Sequence, residues 1–462
     1  MEYTLATAHL CICLYLIRRI FVGTEIVDFQ MGVIGAFSIG YYPLPVFFSE
    51  LSRLDYYREE EVFFGLLIHT IFIVFCIFGT YLGKKFIPHL KSAKFVTLDQ
   101  IVARRPIILS FFAFATWVVY YSTQDITSYS SENFEAYFHD RSPFLAAAAA
   151  FAGIALSLIV YSVAVAWRDG NKIAVFVVGT QLAVIMVLML GLGQRLIALT
   201  PIMMLVISFL MVGRRKFAMQ ILSYGILFLL VFSPFAVYLR EARADRSGAT
   251  VSSLASGFSY EGGIFESSFN SIVDRADLVK VTIQLKSYID AQPAPGFTYY
   301  ESIALLPVPK FIIGDKPYLL STDGTMFGEI SVLAWKTLIG GTGSLSAFGG
   351  LVAYREGGWL WIPFNAIATG VFFVFLTRLF AEGGAVAQIL YANFFVLLSI
   401  KKVPPSFFEA FSETWGLMPL IVGLALISWL LGLLRATHHR DRRRFGGLTK
   451  RDEDQTSQHR ST

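Results

Sequence analysis

The sequence predicts an all-α polytopic integral membrane protein of about eleven transmembrane helices, with one large external loop that contains amphipathic helices. Three observations predict it. Apolar residues supply 55% of the 462 positions and charged residues only 15%, where soluble domains carry about a quarter charged residues. Apolar runs of about 18 to 25 residues recur, each long enough to cross a hydrocarbon core of about 30 Å as a helix. Arg and Lys collect in some connections and avoid others, as the positive-inside rule expects of cytoplasmic loops.

Taken in order, the runs fall near 3–17, 30–48, 61–83, 105–122, 143–167, 173–191, 195–213, 217–238, 358–377, 384–400 and 414–434, each bounded by charge or by Pro and Gly. The first run precedes Arg18 and Arg19, which reverses the charge order of a secretory signal peptide, so it reads as a spanning helix. The chain thus divides into a first membrane block, 1–238, with about eight helices, an external loop, 239–357, a second block, 358–434, with about three helices, and a polar basic tail, 435–462. The stretches 18–20, 84–105, 168–172, 214–216 and the tail carry the Arg/Lys excess and read as cytoplasmic. Only Lys401 and Lys402 conflict with that pattern. The amino terminus is then outside and the carboxyl terminus inside.

The loop 239–357 is far longer than an ordinary connection and too apolar for a flexible linker. Its segment 266–291 places Phe269, Ile272, Val273, Ala276, Val279 and Ile283 on one helical face, and "QPAPG" at 292–296 stops the helix. The segment 297–318 is amphipathic and aromatic, suited to lie on the membrane surface or fold back into the bundle. The Gly-rich segment 328–359 is too polar for a lipid-exposed span, and backbone of that kind is tolerated at membrane depth only where it is buried in protein or lines a cavity.

Ionisable groups concentrate on the external side. Arg195 stands with Gln194 between two uncharged apolar runs, Arg275 interrupts an apolar helical face, and Arg240 follows directly on a span. A guanidinium cannot be deprotonated and can bond two oxygens at once, which suits a phosphate or diphosphate. Each has a plainer reading too. Arg195 at a helix end can snorkel to the headgroups, Arg275 can pair with Asp274 or Asp277, and Arg240 can start a solvated interfacial helix. Lys310 and Lys316 can be surface lysines, and Glu356 can pair with its neighbour Arg355. The three cysteines and seven histidines show no disulfide framework or metal-ligand spacing, so neither metal nor cofactor is expected.

From about 190 to 360 the sequence resembles the O-antigen polymerases, the oligosaccharide repeat-unit polymerases of Wzy type. The resemblance rests on "GLGQR" opening a span, on the loop segment from "SIVDRADLVK" to "IIGDKP", and on "GSLSAFGGLVAYREGGW" leading into the next span. It implies glycosyl transfer at the outer face of the bacterial inner membrane, with undecaprenyl-pyrophosphate-linked oligosaccharides as donor and acceptor. The other partners it implies are the bilayer and a chain-length regulator protein, with no nucleic acid. In that reading Arg195 and Arg275 clamp the pyrophosphate and Arg240 adds a contact. Lys310 and Lys316 join the substrate-binding residues, Tyr299, Tyr300 and Phe297 stack on sugars or join the interfacial aromatic belt, and Glu356 is the candidate base. Related O-antigen ligases carry an external-loop histidine, and 239–357 has none. The alternatives are such a ligase or a lipid-linked oligosaccharide flippase, the latter expected to show an internal repeat and midplane charges.

The charge pattern predicts that a reporter fused after residue 92 is active only in the cytoplasm, and one inserted near residue 292 only outside. Both reporters active on one side would overturn this topology.

Overall fold

The computed structural model describes residues 1–49, 54–88, 93–122, 143–191, 195–225, 227, 278–291, 349–401 and 404–433, and among these there is no strand. In chain order the helices are α1 (Glu2–Val22), α2 (Ile26–Tyr41), α3 (Pro43–Phe47), α4 (Glu59–Phe86), α5 (Val96–Arg104), α6 (Pro106–Ser122), α7 (Pro143–Arg168), α8 (Lys172–Gly191) and α9 (Arg195–Met211). After them come α10 (215–225), α11 (Leu278–Ala291), α12 (Gly349–Gly357), α13 (Trp361–Leu376), α14 (Ala385–Val396) and α15 (Phe407–Gly416). Helix α15 runs on through 418–433. Helices α13 and α14 each end in a π-helical turn, Thr377–Ala381 and Leu397–Lys401.

Each of the eleven predicted runs coincides with helix in its described part. Among the described residues six helices can cross a membrane by length and composition, and a seventh is reached if α5 and α6, bent by 93° at their junction, count as one span. Helix α9 and the α14 segment are shorter apolar helices. The predicted run 30–48 is interrupted between α2 and α3, where Pro43 and Pro45 follow; neither proline can donate a backbone hydrogen bond to continue the ladder. Of the loop predicted to be external, 239–357, only α11 and α12 lie within the described residues. Helix α11 is described as far as Ala291, and the predicted stop at 292–296 lies outside the described residues.

The bundle is organised around α4 and α13, which lie side by side. A Cβ added at Gly79 would stand 2.3 Å from the Ile367 carbonyl oxygen, and one added at Gly370 would stand 2.2 Å from that of Cys76. The two backbones therefore touch, with Gly79 and Gly83 forming a Gly-x-x-x-Gly step on α4. Small residues of this kind let membrane helices approach closely enough for dispersion contacts to hold them. At one end a charged knot ties α1, α2, α4 and α13 together. Asp28 is ion-paired with Arg19 and with Lys84, 2.8 Å away, and Arg378 donates to the Lys84 carbonyl at 3.0 Å, capping α4.

The opposite end of α4 carries the loop helices. Gly65 lets α11 lie against α4 at Val279 and Ile283. Helix α12 packs beside them, with Tyr354 edge-on to Phe64 at 5.7 Å and donating to Asp290 of α11 at 2.8 Å. Gly358, at φ 72°, takes the left-handed conformation that turns α12 back into α13. The described end of the predicted Gly-rich segment enters the bundle as α12, where Gly349, Gly350, Leu351, Val352 and Ala353 are all buried.

Replacing Gly370 by Val should lower thermal stability by about 1–3 kcal/mol or more, because the added atoms meet backbone that cannot yield. Gly179→Ala, where a Cβ meets nothing within 4 Å, serves as the control. Thermal unfolding of the two purified variants in detergent checks this, and equal melting temperatures would refute the contact.

Candidate functional site

Where α12, α13 and α15 converge, the chain buries a carboxyl group. Glu356, the penultimate residue of α12, is 3% exposed. Its Oε2 accepts from Trp361 Nε1 at 2.8 Å and from Asn365 Nδ2 at 2.7 Å. Its Oε1 is buried and has no hydrogen-bond partner among the described residues. The plain expectation of a pair with Arg355 is not what the fold makes, since Glu356 turns to the first two turns of α13 instead. A buried carboxyl oxygen without a partner is costly, and persistent costs of this kind concentrate where a ligand supplies what is missing.

The surroundings fix this carboxyl group. Asn365 Oδ1 accepts from the backbone N–H of Phe407 at 2.7 Å, so the same amide holds Glu356 and the first turn of α15. One step on, Ser406 and Glu409 form a capping box, Ser406 N donating to Glu409 Oε2 at 2.9 Å and Glu409 N donating to Ser406 Oγ at 3.1 Å. Burial pushes the Glu356 carboxyl up to about 8; the Trp361 hydrogen bond opposes the rise, the negative charge of Glu409 adds to it, and the Asn365 hydrogen bond opposes it. A carboxyl group poised near neutrality can both take and return a proton.

A second polar cluster seats α11. His69 of α4 meets Thr282 of α11 at 2.8 Å, and Thr282 gives its own proton to the Leu278 carbonyl. His69 Nε2 is therefore the donor. The Tyr42 ring stacks on His69 at 4.2 Å, and His9 meets Thr70 at 2.8 Å on the far side of Tyr42. These buried polar contacts fix the orientation of α11 against α4.

Of the residues singled out from sequence, Glu356 is described in full. Arg195 is the first residue of α9. Arg240, Arg275, Phe297, Tyr299, Tyr300, Lys310 and Lys316 lie outside the described residues. Sequence reasoning missed Trp361 and Asn365 as partners of Glu356, the Ser406–Glu409 capping box beside them, and His69 as the anchor of α11. A signal was available: Asn365 and His69 are polar residues inside strongly apolar spans, and such residues face the bundle interior and have partners there.

A family model described as O-antigen polysaccharide polymerase Wzy matches residues 2–427. No curated protein and no solved structure matches the chain significantly. The match is not confined to the loop and its flanking spans, where the sequence resemblance rests; it begins in α1 and ends in the helix that follows α15's first turns, so the multi-pass helical chain belongs as a whole to the O-antigen polysaccharide polymerase Wzy family.

Proposed function

We propose that this family member joins lipid-linked repeat units by direct glycosyl transfer at the external face of the bacterial inner membrane, with Glu356 as the general base. The acceptor hydroxyl oxygen forms a bond to the anomeric carbon of the donor glycan. The bond from that carbon to the pyrophosphate oxygen breaks, and its electron pair leaves with undecaprenyl pyrophosphate. The hydroxyl proton goes to Glu356 Oε1.

The observation that carries this reading is the carboxyl geometry: Oε2 is held by two donors, while the buried Oε1 has no partner among the described residues. The charge pattern of the external side supports the rest. Arg195 and Arg275 clamp the departing diphosphate, Arg240 contributes a third contact, and Lys310 and Lys316 add positive charge. Tyr299 and Tyr300 offer ring faces to the sugars. Charge stabilisation by preorganised cations is the main source of acceleration for such a leaving group, and a clamp of side chains asks for no metal ion.

The test is the ladder of repeat-unit lengths in cells carrying each variant at matched membrane abundance. Glu356→Gln keeps shape and Oε2-side hydrogen bonding but cannot take the proton, and should slow polymerisation by about 10²–10⁴-fold. Arg195→Lys and Arg275→Lys should each lose about 10²–10³-fold, because an ammonium cannot make the bidentate fork. A wild-type ladder from Glu356→Gln removes the base. A wild-type ladder from Arg195→Lys makes that residue an interfacial anchor, since lysine snorkels equally well.

A further inference from the structure

We propose that Asn365 is a positioning residue for Glu356: its amide fixes which carboxyl oxygen is presented to the acceptor hydroxyl. The inference rests on the reading of Glu356 as the base and assigns a role to a residue outside it.

The assignment follows from hydrogen-bond direction. The Phe407 backbone N–H can only donate, so the Asn365 atom facing it at 2.7 Å is the oxygen. The Asn365 amide is therefore locked, with its NH₂ turned to Glu356 Oε2 at 2.7 Å. Trp361 Nε1 is also donor-only, and it meets the same oxygen at 2.8 Å. With two donors on Oε2, the proton of neutral Glu356 sits on Oε1, and the lone pair that receives a substrate proton after ionisation is on Oε1 as well.

Ionisable groups face the site from several elements. Helix α12 itself carries Tyr354 and Arg355 beside Glu356. From α4 comes His69, next to Gly350; from α11 come Asp290, bonded to Tyr354, and its partner Lys286. The first turns of α13, from Trp361 to Thr369, carry no ionisable group. From α15 comes Glu409, 2% exposed, which accepts from Ser406 N. Substitutions at Asn365 leave all of these groups in place.

The experiment measures polymerisation rate against pH with the full-length purified protein in lipid nanodiscs and its lipid-linked repeat unit as substrate. The wild-type rate should rise with pH, since burial pushes the Glu356 carboxyl up to about 8. Asn365→Asp still accepts from Phe407 N but sets an acidic oxygen against Oε2, and its half-maximal pH should rise. Should Asn365→Asp not fold, Asn365→Ser, which takes the amide donor away from Oε2, should move the midpoint in the same direction. Loss of rate at every pH with unmoved midpoints would overturn the proposal and leave a purely structural cap, while an inactive Glu356→Gln in the same series would keep the base itself. A Glu356→Gln protein with the wild-type rate and profile would overturn both.

Discussion

Apolar side chains gain little by leaving lipid for protein, so helices in a bilayer hold together through contact at short range and through polar groups that find partners. In this chain the contact on which the rest is mounted is the backbone meeting of α4 and α13. Gly79 and Gly370 make it possible, because no side chain larger than hydrogen fits between the two backbones. Helix α4 is a 28-residue post: one half grips α13, and the other half supports α11 and α12. Glu356 is held by residues of α13, so the depth at which α13 seats on α4 decides where the carboxyl group stands.

Polar residues divide the labour between the two ends. At the Arg/Lys-rich end, Asp28 joins Arg19 and Lys84, and Asp99 receives the backbone N–H groups of Phe95 and Val386 at 2.9 Å each. Asp28 is met by two cations and Asp99 by backbone N–H groups on both oxygens. At the other end the carboxyl of Glu356 receives neutral donors on one oxygen only. The contrast is chemical. The first two carboxylates tie helices together, whereas a buried carboxyl group in an apolar setting, with one oxygen unbonded among the described residues, stays near its proton and can exchange it.

Family membership and geometry answer different questions about this chain. Membership in the Wzy family concerns polymerisation of O-antigen repeat units, and it names no residue. The buried carboxyl network names residues, and it reaches the reaction only through the proposed transfer of a hydroxyl proton. The arginines of the external side belong to the charge pattern, and their part in holding a diphosphate is a proposal built on guanidinium chemistry.

The sequence by itself determined the helical membrane class, the positions of the long helices and the need to bury the Gly-rich entry to α13. Each of these is local: hydropathy, charge and Pro/Gly punctuation act within about twenty residues. It also picked out Glu356, but expected the adjacent Arg355 as its partner, because sequence shows only neighbours along the chain. Tertiary structure decided the partners. Asn365 reaches Phe407 across 42 positions and His69 reaches Thr282 across 213, and no periodicity encodes such pairs. The Gly-x-x-x-Gly step at 79–83 and its partner on α13 emerged only in the packed helices. Which helix fills a glycine groove, and which donor meets a buried carboxyl oxygen, is settled only when the helices pack and each polar group must find its bond inside the protein.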